Sequence, residues 1–196
     1  MSILFIHGYG ATGNATKAQM LRDMFPREHV TAPTIDYDRL PPQAVYSLLR
    51  DIVSQEEPRL ILGSSMGGYH AICCTRFYRG PVWCVNPVGD IAAAMALLPP
   101  PAGDGRGRGE QYAAMAAAYR DFDREVFART VPAAGQLCFA LSTDDELLGD
   151  HTPLLSRFPD HGAVVWKARC GHHFRRFREL KPLLAQSLAQ QQNSSR

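Results

Sequence analysis

The sequence predicts an α/β protein in which a compact, mostly parallel six-stranded sheet is flanked by helices. Short apolar runs bounded by turn residues alternate with longer amphipathic segments along the chain. The runs lie at 2–6, 29–32, 59–63, 81–86, 136–142 and 162–167, and the candidate helices near 16–24, 42–55, 66–79, 110–129 and 174–191. Right-handed crossovers bring the carboxyl ends of such strands to one edge of the sheet, where ligands bind. We expect the strand order 2-1-3-4-5-6.

The composition is typical of one globular domain over residues 1–196. Hydrophobic residues make up 45% of the chain and charged residues 20%, which allows a substantial core. The formal net charge of +2 is small, so we expect no nucleic-acid partner. The five cysteines lack Cys-x-x-Cys spacing, which favours reduced thiols in a cytoplasmic protein over a metal site or a disulfide framework.

The two ends of the chain predict a buried strand and a polar tail. The first eight residues have no basic stretch and only a short apolar run, so we expect neither a signal peptide nor a membrane span. Residues 190–196 are polar and predict a disordered tail.

One insertion interrupts the regular alternation of strands and helices. A run rich in Pro, Gly and Arg at 99–109 precedes an Ala-rich helix, between the fourth and fifth predicted strands. A flexible surface linker and a mobile lid over 97–130 both fit this composition.

The most specific motif is Gly63-Ser64-Ser65-Met66-Gly67, a Gly-x-Ser-x-Gly between a predicted strand and a predicted helix. A serine on such a turn projects its hydroxyl above the sheet, and the glycines let the backbone fold tightly. The helix behind it aims free N–H groups at an anion forming on a substrate carbonyl. The pattern predicts that Ser65 is the nucleophile of a serine hydrolase.

An acidic cluster follows the fifth predicted strand, where a serine nucleophile needs a carboxylate that orients its base. The cluster is Asp144-Asp145-Glu146. We favour Asp145, because Asp144 comes directly after Ser142-Thr143 as a turn residue; Glu146 is the third option.

Two histidines, His172 and His173, follow the last predicted strand and complete the order Ser, acid, His. We favour His172 as the general base, because it follows Gly171, where the chain can turn back over the sheet. His173 is expected to lead into the last helix.

The loop after the first strand supplies candidates for the rest of the site. An oxyanion hole needs two backbone donors, for which we nominate the N–H groups of Met66 and Tyr9. We expect His7, Gly8 and Ser64 to line the substrate pocket, with His7 mainly bracing its loop.

Two other function classes fit parts of the sequence. Gly8, Gly10 and Gly13 form a Gly-x-Gly-x-x-Gly after a strand, and Asp36 or Asp38 follows at the spacing of a ribose-binding acid in an NAD(P)-dependent oxidoreductase. Against it, residues 14–16 continue as loop and helix cap, whereas that motif needs its helix to begin within the glycines. A non-catalytic binding protein of the same fold would leave Ser65 unreactive.

These motifs together resemble the YqiA-like small esterases (UPF0227-type), a family of compact α/β-hydrolases. Six segments carry the resemblance: Phe5–Tyr9, Thr16–Ala18, Leu62–Tyr69, Val85–Pro87, Thr143–Leu147 and His172–Phe177. The resemblance supports Asp145 and His172. It implies hydrolysis of short acyl esters or thioesters without a cofactor or metal. The insertion at 99–109 and Val88-Gly89-Asp90 depart from the family pattern, which leaves the substrate open.

Overall fold

Six parallel strands form one sheet in the computed structural model, which describes residues 2–97 and 105–194. The strands are β1 (Ser2–Ile6), β2 (His29–Thr31), β3 (Leu60–Ser64), β4 (Val82–Val85), β5 (Leu137–Ser142) and β6 (Gly162–Ala168). Their order is β2-β1-β3-β4-β5-β6, and every neighbouring pair is parallel. The predicted strand order is confirmed.

The helices cover both faces of this sheet. They are α1 (Thr16–Met24), α2 (Pro42–Glu56), α3 (Met66–Cys74), α4 (Ile91–Leu97), α5 (Gly105–Glu125), α6 (Thr152–Leu155) and α7 (Lys181–Ser194). Pro42 begins α2, where a helix needs no N–H donor and the fixed φ of proline suits the first turn. Helices α4 and α6 lie where the sequence predicts none.

Successive side chains of each strand enter two separate hydrophobic cores. Leu4 and Ile6 of β1 pack with α2, α3 and α5, whereas Ile3 and Phe5 pack with α1 and α7. All residues of β1, β3 and β4 are buried, as expected for parallel strands that are covered on both faces. The central strands therefore form a rigid support for the loops at their carboxyl ends.

The helix predicted from residue 174 begins seven residues later, at Lys181. Phe174 has a φ of 53°, and Phe177–Leu180 forms a short 3₁₀ helix. Side chains three residues apart, at 174, 177 and 180, are all buried, a spacing that turns and 3₁₀ segments satisfy as well as an α-helix does. Helix α7 extends to Ser194, within the segment expected as a tail, and residues 195 and 196 lie outside the described residues.

The insertion between β4 and β5 is mostly helical. Residues 98–104, which hold much of the Pro- and Gly-rich run, lie outside the described residues. Beyond them α5 buries Tyr119 and Phe122 against Tyr69 of α3. In the described ranges, no helix is both long and apolar enough to cross a membrane.

Candidate active site

Ser65 lies on the sharp turn between β3 and α3, at the carboxyl edge of the sheet. Its φ of 56° and ψ of −122° are unusual for a residue with a side chain and cost on the order of 1–3 kcal/mol. Neighbouring strands hold this conformation: the Ser65 N–H donates to the Val85 carbonyl at 2.9 Å, and its carbonyl accepts from the N–H of Val88 at 3.2 Å. These hydrogen bonds therefore fix the direction of the Ser65 hydroxyl.

Gly67 allows this turn to sit directly on β1. A Cβ at position 67 would lie 2.1 Å from the Ile6 carbonyl oxygen and 2.5 Å from that of His7. Since both neighbours are backbone atoms of a buried strand and its loop, a side chain at position 67 would separate α3 from β1.

The imidazole of His172 lies between Ser65 and Asp145, residues from three distant parts of the chain. His172 Nε2 is 3.0 Å from Ser65 Oγ, and Nδ1 is 3.0 Å from both carboxylate oxygens of Asp145. Asp145 and His172 are only 6% and 8% exposed, so little water competes for these contacts. His172 therefore contacts both of the other side chains selected from the sequence.

Three consecutive acidic residues after β5 contact residues 170–172, which we call the histidine loop. Asp144 Oδ1 accepts from the N–H groups of Cys170 and Gly171 at 2.8 and 2.9 Å, and Glu146 Oε2 accepts from that of His172 at 2.8 Å. Only Asp145 faces the imidazole. Asp144 and Glu146 therefore position the main chain of the histidine loop.

The surroundings of Asp145 favour its ionised form. Burial opposes ionisation, but the imidazoles of His151 and His172 and the N–H of Leu148 outweigh burial, so the pKa of Asp145 lies below its usual range. His151, which the sequence analysis did not select, places Nε2 3.4 Å from Asp145 Oδ2. A permanently charged carboxylate can hold a proton on His172 Nδ1, which leaves Nε2 free to accept another.

His173 does not join these contacts. Its side chain is exposed, and its ring centroid lies 6.0 Å from that of His172. The expectation that His173 leads into a helix is wrong, because residues 171–176 form turns.

The two nominated backbone donors lie beside Ser65. Tyr9, Ser65 and Met66 line one small pocket, and a Cβ at Gly8 would lie 3.6 Å from Ser65 Oγ. In residues 2–97 and 105–194, neither the N–H of Tyr9 nor that of Met66 has a hydrogen-bond acceptor. Both groups are therefore available to an oxygen of a bound molecule.

The pocket at Ser65 is small and apolar, with a volume of about 40 Å³. Side chains from the segment between β4 and α4, from α4 and from the loop after β5 line it, among them Val88, Ile91, Met95 and Leu148. Tyr9 forms another wall and is held in place: its hydroxyl donates to Asp38 Oδ1 at 2.6 Å and lies 3.1 Å from the hydroxyl of Tyr112 on α5. The insertion thus contacts one wall of the pocket.

His7, Gly8 and Ser64, the predicted pocket residues, line a larger cavity of about 440 Å³ on the α1 side of the sheet. His7 is buried and braces its loop, because Nε2 accepts from the Ile35 N–H at 2.9 Å and Nδ1 is 2.8 Å from the Gly8 carbonyl. Burial lowers the pKa of His7, which keeps the ring neutral.

Asn86 is a residue of the site that sequence reasoning did not select. Fully buried, it has a φ of 41° and donates from Nδ2 to the carbonyls of Gly171 and His172, each at 3.1 Å. Its Oδ1 accepts from the Ser142 N–H at 2.7 Å. The Asn-Pro pair at the end of a predicted strand was the available signal.

The glycine-rich loop does not have the geometry of a dinucleotide site. Helix α1 begins at Thr16, beyond the last glycine, and a Cβ at Gly13 would lie 1.9 Å from the Ala32 carbonyl oxygen. Gly13 therefore serves close packing of the loop against the segment after β2. No grouping of His, Cys, Asp and Glu in the described ranges is arranged to hold a metal ion.

Comparisons with known proteins place this fold among the α/β-hydrolases. The esterase domain of a Rhodothermus marinus protein is 15% identical with a TM-score of 0.68, and the match covers 96% of this chain and 86% of that one. MGS-MChE2, an α/β-hydrolase enzyme from a sediment metagenome of the Mar Chica lagoon in Morocco, is 18% identical with a TM-score of 0.69, over 98% and 92% of the two chains. Est1E from Butyrivibrio proteoclasticus is 13% identical with a TM-score of 0.63, over 96% and 88%.

The family resemblance inferred from the motifs is confirmed by a match along most of the sequence. Residues 2–187 match the family described as Uncharacterised protein family (UPF0227), and the chain therefore belongs to this family.

Proposed function

We propose that this protein is a serine hydrolase that cleaves small carboxylic esters or thioesters. The observation that carries the proposal is the imidazole of His172, 3.0 Å from Ser65 Oγ on one side and 3.0 Å from the Asp145 carboxylate on the other. A serine hydroxyl attacks a carbonyl at neutral pH only when a base contacts it and a third group fixes the tautomer of that base. The fold likeness to esterases supports the same reaction class.

In the acylation step, Ser65 Oγ forms a bond to the acyl carbon while its proton moves to His172 Nε2. The electron pair of the carbonyl moves onto its oxygen, which accepts hydrogen bonds from the N–H groups of Met66 and Tyr9. When the carbonyl re-forms, the bond to the leaving oxygen or sulfur breaks, and the proton on Nε2 passes to that atom. Asp145 remains ionised and stabilises the imidazolium.

The second half of the reaction repeats these steps with water. His172 Nε2 accepts a proton from water, whose oxygen attacks the acyl carbon of the ester on Ser65. Collapse of this second tetrahedral intermediate breaks the bond to Ser65 Oγ, which takes the proton back from Nε2. The carboxylic acid leaves, and no cofactor takes part.

The acyl pocket supports a short chain. A volume of about 40 Å³, lined by Val88, Ile91 and Leu148, suits a short acyl chain. We propose that the acyl group lies in this pocket, next to the two backbone donors.

The first test is covalent labelling of the nucleophile. A fluorophosphonate probe should modify wild-type protein on Ser65, and the Ser65→Ala variant should lose labelling and nearly all esterase turnover while it melts close to the wild-type temperature. Ser54→Ala, at an exposed serine of α2, is the matched control and should behave like wild type. Folded wild-type protein that is not labelled would instead indicate a non-catalytic binding protein.

The second test defines the substrate. We expect kcat/KM for nitrophenyl esters to be highest between acetate and butyrate and to fall towards octanoate, with acyl thioesters of the same lengths following the same order. A maximum at octanoate would contradict the assignment of the acyl group to the small pocket.

We also propose that the enzyme works in the cytoplasm. The five cysteines, Cys73, Cys74, Cys84, Cys138 and Cys170, are all free thiols. Burial raises the pKa of each, so they remain protonated and unreactive. Such a set suits a reducing compartment.

A further inference from the structure

The larger cavity beside the active site plays no part in the mechanism above. It has a volume of about 440 Å³, roughly ten times that of the acyl pocket, and lies between β1, α1 and the turn that follows His172. Phe5, Met20 and Phe177 give it an apolar floor. A space of this size can hold a substituent that the acyl pocket cannot.

The charged side chains that line this cavity are cationic. Lys17 of α1 is half-buried in its wall, and Arg175 lies exposed at its rim beside His173. No Asp or Glu of the described ranges is among its lining residues. The cavity therefore offers an electropositive environment in a partly apolar enclosure, where charge–charge interactions are stronger than in water.

Two polar groups of the wall have no hydrogen-bond or ion-pair partner among the described residues. Within the described ranges, the Lys17 ammonium makes neither a hydrogen bond nor an ion pair, although burial lowers its pKa. The Ser64 hydroxyl, on a residue only 5% exposed, also has no hydrogen-bond partner among the described residues. Both groups can therefore donate a hydrogen bond to an oxygen of a bound molecule.

The wall of the cavity includes residues that lie next to Ser65 and His172. Gly8 belongs to its wall, and a Cβ at Gly8 would lie 3.6 Å from Ser65 Oγ. Residues 173–175, which directly follow His172, belong to its rim. A leaving group must lie near His172 because it takes its proton from Nε2.

We propose that this cavity binds an oxyanion, a carboxylate or phosphate, on the leaving group of the substrate. Lys17 and Ser64 would donate to the anion inside the cavity, and Arg175 would attract it at the rim. The natural substrate is then a short acyl ester or thioester of an acidic alcohol or thiol. This inference rests on the proposed esterase activity and specifies its substrate class.

The test compares a nitrophenyl acetate that carries a ring carboxylate with the nitrophenyl acetate that carries a ring carboxamide in its place, a neutral isostere. We expect wild-type kcat/KM to be about 10- to 100-fold higher for the carboxylate, the range that one charge-assisted hydrogen bond supplies. In Lys17→Met this ratio should fall at least about tenfold. An analogue with a ring phosphate in place of the carboxylate shows which oxyanion is preferred.

Two further variants make the result specific. Arg175→Gln, at an exposed position, should also lower this ratio. This variant keeps the proposal testable if Lys17→Met does not fold. Arg27→Gln removes an exposed arginine outside the cavity and should leave the ratio at the wild-type value. Equal rates for the two esters with wild-type protein, or equal ratios in the Lys17, Arg175 and Arg27 variants, would overturn the proposal.

A binding measurement separates this inference from the proposed activity. The released nitrophenol that carries the ring carboxylate should bind Ser65→Ala protein in calorimetry, and Lys17→Met should weaken that binding at least about tenfold. If neither ester is hydrolysed, the esterase proposal fails while this binding experiment still tests the cavity. Unchanged affinity in the Lys17 variant would refute the anion site even in an active enzyme.

Discussion

The side chain of Asn86 holds the main chain of His172: Nδ2 donates to the His172 carbonyl at 3.1 Å and to that of Gly171 at the same distance. Through Oδ1, the same side chain accepts from the N–H of Ser142, at the end of β5. One buried amide thus connects the end of β4 with the two loops that carry Asp145 and His172. The position of the imidazole depends on this connection.

Asn86→Asp should therefore reduce both turnover and stability. The new carboxylate can still accept from Ser142 but faces two carbonyl oxygens that it cannot bind. Unpaired buried polar groups cost about 1–3 kcal/mol each, so we expect a lower free energy of unfolding and a fall in kcat of about tenfold or more with little change in KM. Asn14→Asp, at an exposed loop position, is the control. An Asn86→Asp enzyme with wild-type kcat would contradict this role.

Asp145→Asn and Asp144→Asn should have very different effects. At position 145 an amide cannot hold the required tautomer of His172, and kcat should fall by about 10⁴. At position 144 the amide oxygen can still accept from the N–H groups of Cys170 and Gly171, so kcat should change far less. Steady-state kinetics of the two variants measures the difference, and the reverse order would assign the orienting role to Asp144.

Gly67→Ala and Gly109→Ala test the close contact between α3 and β1. The first substitution places a methyl group 2.1 Å from the Ile6 carbonyl oxygen, so we expect a large loss of stability and of esterase activity. At Gly109, on exposed α5, no described atom outside its own helical turn lies within 4 Å of a new Cβ, and the variant should gain up to about 1 kcal/mol. Urea denaturation of both proteins is the measurement, and equal midpoints would contradict this account of the turn.

Acid should destabilise the protein through His70. Burial lowers the pKa of His70 from 6.5 to about 3. Between these values the unfolded chain binds a proton that the folded protein does not, so this contribution to stability is complete above pH 6.5 and is lost as the pH falls towards 3. The slope from one such group is at most about 1.4 kcal/mol per pH unit.

His70→Gln should reduce that slope, because glutamine does not titrate and can still contact the Tyr119 hydroxyl, which lies 2.9 Å from His70 Nε2. Free energies of unfolding measured from pH 7 to pH 4 give the slope for each protein. His29→Gln, at an exposed histidine, should retain the wild-type slope. Parallel curves for His70→Gln and wild type would exclude His70 as the acid-sensitive group.

The sequence predicts the strands well because their signal is local. Strands buried on both faces are continuous apolar runs, and β1 and β3 lie within one residue of the predicted ranges. Helix α4 has no comparable signal, since its seven residues are largely alanine and precede a proline run. Burial of Ile91 and Met95 depends on α5, whose position no local pattern reveals.

The contacts between Ser65, Asp145 and His172 follow from motif order. The different hydrogen-bond partners of the three residues in the acidic cluster do not. Asp144 is set apart by the backbone of residues 170 and 171, which lies 26 and 27 residues away in sequence. The partners of Asn86 are 56 to 86 residues away, so only the folded chain identifies its role. Long-range hydrogen bonds of this kind leave no periodic trace in a sequence.

The hydrogen bonds that hold residues 170–172 are made to main-chain N–H and carbonyl groups. They therefore do not depend on which side chains the neighbouring positions carry. His173 is exposed and one residue from the imidazole of His172. Mutant libraries at position 173 can therefore vary the side chain beside His172 while the hydrogen bonds that hold the main chain of His172 are preserved. We expect substitutions at residue 173 to change the selectivity of the proposed esterase without loss of the fold.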